Sequence, residues 1–519
     1  MNVLSSGKSL YAMNRRSLVK ASVATVMASQ IVTQGTSAAN AQDGRSFTYA
    51  YKADVQTMDP HLTTDTTSQV AHFQLYEPLV KMGRDGQFEG LLAESWENID
   101  DLTWRFHLRE GVTFHNGEPF TADAVVFSLD RIRKPELDSP SASGLSPIEK
   151  ITKVDDLTVD VVTLEPYAAL LSILYGGLSI LPPKYLEEVG DDGFLENPVG
   201  TGPFTFIEWV KDVELRMEAY QDHWRGVPAI QELIYRPIPE DSARIAALQN
   251  GEVDWVAAFN VERVSEFEGG DQFQIGSRPG QGVYAQMDTI DTEPFKSREV
   301  RQAVNHAVDV ASIIDNLLDG RATRLPSVFF SSTPGFDPDM EPYTYDPDVA
   351  SQLLSDAGYG DGFEVRFNVA PAQQSAQKFE EVAQAIVQDL SQVGITAKLE
   401  ILDPSVHSER YHNSEFQFFL FPWGSSHESG RYVDTLLHSQ RRGYYYRNPE
   451  ADALIDAFMQ EVDPEKRIEA GAAANEFLQE DAPWLFLYQE PDIYGYQNDV
   501  DWEPNPADIY FHAYEVSFK

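Results

Sequence analysis

Apolar and polar residues alternate from Thr103 to Arg109, with Trp104, Phe106 and Leu108 on one face and Arg105 and His107 on the other. That period of two predicts a half-buried strand. Asn116-Gly117 signals a turn, and Thr121 then stands where an N-cap belongs, with Asp123 and Ala124 in the first turn. Val125, Val126, Leu129 and Ile132 follow at helical spacing and predict a capped helix. The same reading predicts strands over 47–55, 204–210, 213–218, 230–236, 364–369, 395–401, 416–423 and 484–487, and a hairpin over 151–164 turning at Asp155-Asp156. Helices are predicted around Val70, Phe73 and Leu75, over 241–249 with Gly251 as stop, across Val300 to Val308, after Pro347 with a stop at Gly358, and over 379–393, 449–461 and 467–478. Helix followed by strand implies a mixed α/β arrangement. The apolar stretch 170–181 is too short to span a bilayer and reads as core.

Length and charge narrow the picture. A chain of 519 residues implies two or three domains, and 42% apolar residues are ample for large cores. There are 82 acidic against 39 basic residues, a formal charge of −43. Such a chain repels nucleic acid and anionic membrane, so neither is an expected partner. The absence of cysteine excludes disulfides, thiol catalysis, thiolate metal sites and the acylated cysteine of a lipoprotein anchor.

The first 41 residues read as an export leader. Arg15 and Arg16 sit beside Leu18, Val19 and Lys20, a pattern similar to a twin-arginine signal, and a weakly apolar segment follows over 21–32. Ala39-Asn40-Ala41 offers the small residues a signal peptidase reads. The expected product is free and soluble, without a membrane anchor.

Several literal wordings carry more than their physics. T-W-R-F-H-L-R at 103–109, then G-V-T-F-H-N-G-E-P-F-T-A-D-A-V-V-F-S at 111–128, resemble the signature of the extracytoplasmic solute-binding proteins, family 5. That family serves ABC importers and binds oligopeptides, dipeptides, nickel chelates and opines. Similar to it as well are Met58-Asp59-Pro60, the N-P-V-G-T-G-P-F run at 197–204, His223-Trp224 after Tyr220, Gly251-Glu252-Val253-Asp254 and the segment 295–309. The resemblance implies a two-lobed α/β periplasmic-binding-protein fold of type II-like topology with an extra α+β subdomain. Lobe I would comprise 42–80, 196–277 and 491–519, the extra subdomain 81–195, and lobe II 278–490. A ligand would be held between lobes that close by hinge motion, and the closed form would dock on inner-membrane permease subunits. A periplasmic monomer is expected.

No G-x-S-x-G, H-E-x-x-H or P-loop occurs, so no catalytic residues and no cofactor are expected. His407, His412, His427 and His438 fit no standard ligand spacing, and no metal site is predicted. The resemblance points instead to two loops. The Thr-rich loop after Met58-Asp59-Pro60 carries Thr64, Thr66 and Thr67, which can line a cleft or merely cap the following helix. The aromatic strand ending at Trp423 empties into Gly424, Ser425, Ser426, His427 and Glu428, where open α/β folds place ligands. Peptide binders of the family carry an aspartate for the peptide ammonium at the position of Ser426. A neutral hydroxyl cannot supply that charge-assisted bond, although Glu428 is near. Arg431 is a cation able to hold a ligand carboxylate, and Trp423 can stack on a solute or serve as core. A peptide or peptide-like polar solute is expected, with an opine, oligosaccharide or nickel chelate as alternatives in the same cleft that the serine at 426 makes competitive, and an exported hydrolase as the alternative from another class. The run Arg441-Arg442-Gly443-Tyr444-Tyr445-Tyr446-Arg447 reads as a structural loop.

Overall fold

The computed structural model describes residues 45–259, 261–267, 270, 273–370, 378–423 and 430–519. Thr103–Leu108 is the expected strand, with Trp104, Phe106 and Leu108 buried on one face. It pairs with Ala93–Asp100 and Thr158–Thr163, and Ile148–Asp155 completes a four-stranded antiparallel sheet. The helix Ala122–Ile132 follows. Thr121 caps it with its backbone alone, since its side chain makes no capping bond.

That helix delivers Arg131 into the interior. Its guanidinium donates to both carboxylate oxygens of the fully buried Asp59 and to Asp191 at 2.7 Å. Asp59 belongs to the Met58-Asp59-Pro60 turn, so this pair fastens the four-stranded unit to the loop that leads into the helix Thr66–Leu75. Breaking a buried pair leaves an uncompensated charge, which is why both members are needed.

The main sheet has eleven strands. From edge to edge run Ile395–Ile401, Phe363–Val369, Phe418–Trp423, Phe273–Met287, Trp484–Gln497, Trp255–Val256, Arg45–Tyr51, Ile230–Pro237, Glu214–Ala219 and Phe204–Val210, with Thr323–Arg324 paired to Trp484–Gln497 beside that path. Two strands are much longer than the rest: Phe273–Met287 has 15 residues and Trp484–Gln497 has 14. They pair antiparallel, but the register breaks between Pro279 and Gly282. On one side of the break, Tyr496 and Gly495 pair with Trp255 and Val256, which continue into the sheet half containing Arg45–Tyr51. On the other side, Gly282 to Met287 pair with Trp423 to Phe418, which continue into the half containing Phe363–Val369. The two long strands are thus the crossing between two lobes.

The break has a chemical cause. Pro279 and Pro491 face each other in the ladder, and neither has an N–H to donate. Gly280 follows; a Cβ there would lie 2.8 Å from the Asp492 carboxylate and from the Glu490 carbonyl.

Three elements depart from the sequence reading. The strand expected over 484–487 runs on to Gln497, because Pro491 lies at the register break and interrupts the apolar pattern without ending the strand. The helix expected from 467 begins at Pro464, where the Asp463 side chain accepts from the Glu465 and Lys466 N–H groups. The strand expected over 47–55 spans Arg45–Tyr51.

Candidate functional site

A cavity of about 740 Å³ opens at the register break, within the range of small-molecule sites. Both crossing strands floor it, through Arg278, Gly280 and Gln281 on one and Glu490 to Tyr494 on the other. Five of the sequence-predicted residues line it: Thr64, Thr66, Thr67, Trp423 and Arg431. Gly424, Ser425, Ser426, His427 and Glu428 lie outside the described residues.

The Thr-rich loop divides its labour by residue. Asp65 caps the helix Thr66–Leu75 by accepting from Ser68 N–H at 2.8 Å, and the buried Thr63 hydroxyl accepts from Asp65 N–H at 3.0 Å. Capping is thus done by Asp65 and Thr63, which leaves Thr64, Thr66 and Thr67 on the cavity wall. Trp423 is half-buried and pairs in register with Gly282, so it lines the cavity from the side of the break that holds Phe363–Val369 while also packing on the core. Arg431 opens the helix Arg431–Leu437; its Nη2 lies 3.8 Å from the place a Cβ on Gly144 would take. The Arg431 side chain thereby reaches the turn Ala142–Leu145.

Other lining residues escaped the sequence reading. The helix Leu170–Gly177, expected as core, presents Ser172, Ile173, Gly176 and Gly177 to the cavity. In the arginine–tyrosine run, Tyr445 and Tyr446 are buried as a structural loop requires, yet Arg442 reaches the cavity. At the floor, Arg278 donates through Nε to the Tyr494 hydroxyl at 3.0 Å, through Nη1 to the Pro279 carbonyl at 2.8 Å, and through Nη2 to Asp492. Burial works against its charge, but Asp492 and Tyr494 outweigh that and hold its pKa above the ordinary arginine value. Tyr494 stacks on the buried Trp255, with ring centroids 5.1 Å apart, which packs the floor against the core.

The electrostatics of the lining oppose those of the chain. Lys52, Arg278, Arg431 and Arg442 face Glu490 and Asp492, two cations in excess among the described lining residues, in a protein with twice as many acids as bases. Burial, then the nearby Arg244, lowers the Lys52 pKa to about 8. A second cavity of about 640 Å³, lined by Val264, Phe267, Gln274, Arg321 and Tyr496, contains none of the predicted residues. Of the four clustered histidines, His438 is buried beside Asp456 and His407 packs on Phe416, while His427 lies outside the described residues. No group of three metal-capable side chains occurs among the described residues, nor any helix long and apolar enough to cross a membrane.

Known proteins share this architecture. The family model described as bacterial extracellular solute-binding proteins, family 5 Middle, matches residues 87–444. The glutathione-binding protein GsiB of Salmonella typhi is 28% identical over 458 residues, covering 85% of this chain and 88% of GsiB. Heme-binding protein A of Haemophilus influenzae is 28% identical over 496 residues, covering 88% and 91%. The ABC transporter-associated periplasmic binding protein DppA from Helicobacter pylori, solved in complex with the peptide STSA, matches with a TM-score of 0.75 at 26% identity, covering 92% of this chain and 98% of DppA. Motifs, crossing strands and interlobe cavity agree with that match: the chain belongs to the bacterial extracellular solute-binding proteins of family 5, which serve ABC importers.

Proposed function

We propose that this protein captures a small, anionic, peptide-like solute in the interlobe cavity and delivers it to the permease of an ABC importer in the bacterial envelope. The cation excess of the cavity lining carries this reading, because two cations in excess among the described lining residues of so acidic a chain are matched by a solute bearing carboxylates. The relatives' names span glutathione, heme and a peptide. Peptide-like cargo is favoured over heme because two of those three ligands, glutathione and STSA, are peptides. The lobes are assigned as 42–80, 196–277 and 491–519 for lobe I, with 81–195 as its extra subdomain, and 278–490 for lobe II; the register break at Pro279 to Gly282 supports the crossing points. Capture is stoichiometric and no bond is made or broken. Residues 1–41 act as a twin-arginine export leader, and the mature protein is periplasmic, monomeric and unanchored.

The test is a thermal-shift and calorimetry panel on mature protein from the envelope fraction, refolded to strip carried-over ligand. Glutathione, trialanine, mannopinic acid, an oligosaccharide, heme and a nickel–histidine chelate are the probes. A peptide or glutathione is expected to raise the melting point by mass action and to saturate with 1:1 stoichiometry. Release of hydrolysis products, or saturation only by the sugar, heme or chelate, would overturn the proposal.

A further inference from the structure

The floor of the cavity holds an ion pair whose two halves come from different crossing strands. Arg278 and Asp492 are ladder partners, one rung from the Pro279–Pro491 pair that interrupts the backbone hydrogen bonds. The side chains therefore bridge the strands where the backbone stops doing so. Their exposures differ. The Arg278 side chain is 5% exposed, whereas that of Asp492 is 40% exposed, and both line the cavity.

Each partner keeps bonding capacity. A guanidinium has five N–H groups, and three are taken by Tyr494, Pro279 and Asp492. Asp492 receives Arg278 on Oδ2, and its Oδ1 occupies the space that Gly280 leaves open by lacking a side chain. The pair as a whole is neutral, so it draws neither an anion nor a cation strongly by itself. A group carrying both charges side by side completes it: a carboxylate accepts the remaining Arg278 N–H groups while an ammonium donates to Asp492. Both bonds are charge-assisted, and the one to the buried Arg278 is sheltered from water, where such bonds are strongest. Tyr494, stacked on Trp255, accepts from Arg278 Nε at 3.0 Å and so ties the receiver to the packed core.

Resting on the peptide-like reading above, we infer that Arg278 and Asp492 form the head-group site of the cleft and that the captured solute carries a free α-amino-acid zwitterion, ammonium and carboxylate on one carbon. A simple peptide, with those charges at opposite ends, satisfies only half of the receiver. A γ-glutamyl peptide satisfies all of it.

The experiment measures calorimetric affinity of the mature wild-type protein for glutathione, for glutathione acetylated on its glutamyl nitrogen, and for trialanine. Glutathione is expected to bind best, with acetylation weakening it about tenfold or more. Asp492→Asn is expected to remove that discrimination, with its melting point reported alongside, and the wild-type comparison stands even if this variant folds poorly. Tighter binding of trialanine than of glutathione, equal binding of the acetylated form, or loss of discrimination in Glu490→Gln in place of Asp492→Asn would each overturn the inference while leaving peptide capture intact. Saturable binding of none of the three would overturn the inference and the peptide reading together.

Discussion

Lys52 shows how one residue can make capture depend on pH. It lines the cavity just beyond the strand Arg45–Tyr51, and its pKa is lowered to about 8, first by burial and then by Arg244, with Asp241 opposing. The ammonium form exists below that value, so its pull on a carboxylate is complete at pH 7 and fades as pH rises through 8. Affinity for an anionic solute is expected to drop roughly three- to tenfold between pH 7 and 9, and the Lys52→Met protein should lose most of that slope. A pH-independent affinity in the wild type would remove Lys52 from the site. The residues legible beforehand, Thr64, Thr66, Thr67, Trp423 and Arg431, all sit in or next to loops whose wording marked them. Arg278 and Asp492 were not legible. They are 214 residues apart, and only the pairing of the crossing strands brings them together.

At the scale of an element, the N-P-V-G-T-G-P-F segment reads as irregular backbone, and the structure supplies the physical reason for its glycines. The segment lies against the end of the helix Thr66–Leu75. A Cβ on Gly200 would sit 2.0 Å from the Leu75 carbonyl oxygen and 2.6 Å from the Tyr76 ring; one on Gly202 would sit 2.5 Å from the Leu75 carbonyl carbon. Gly202 N–H also donates to the Leu75 carbonyl at 2.9 Å. Because the obstacle is backbone, no rotamer change relieves it. Gly200→Ala is expected to destabilise by about 1–3 kcal/mol or more, read as a lower denaturant midpoint. An unchanged midpoint would show that the contact is looser than described. Element ends were legible where a cap lay in an ordinary context, as at Asn448-Pro449. They were missed where proline had two meanings: Pro464 starts a helix, whereas Pro491 lies within a strand.

The fold class and the two-lobed plan could be read from the sequence only through whole-chain motifs, since periodicity supplies elements and not their partners. Strand order is a long-range property, set by which apolar faces meet. The same scale decides how the protein responds to acid, because two opposing effects must be compared across the molecule. His61 and His72 are buried beside the Thr-rich loop, and burial first of all lowers the pKa of each to about 4. Around His61 lie Asp59, which favours its charge, and Arg131, which opposes it; His61 Nε2 donates to the Ser179 carbonyl at 2.9 Å while Arg131 donates to Nδ1. His72 donates to the Thr57 carbonyl at 2.8 Å, with Asp59 and Asp65 favouring its charge.

Unfolded histidines titrate near 6.5, so below that pH the unfolded state takes up protons that the folded state refuses. Their contribution to stability is complete above pH 6.5 and is lost as pH falls toward 4, by a few kcal/mol in all at pH 5. The opposing effect is relief of self-repulsion in a chain of net charge −43. That relief requires carboxylates to protonate, which for unperturbed groups begins in earnest only near pH 4. Between pH 6.5 and 5 the histidines therefore win. Chemical denaturation of the ligand-free protein at pH 7, 6 and 5 is expected to show stability falling steadily, with His61 and His72 contributing up to about 2.7 kcal/mol per pH unit. His115 and His407, also lowered to about 4 by burial, add to the slope, and His512, where burial is outweighed by Asp508 and the pKa raised, opposes it. Added salt should raise all three values without removing the slope. A flat or rising profile across that window would mean that the buried histidines are not held neutral, and an unchanged slope in His61→Gln and His72→Gln would mean that the Thr-rich wall of the cavity is less firmly anchored than its hydrogen bonds imply.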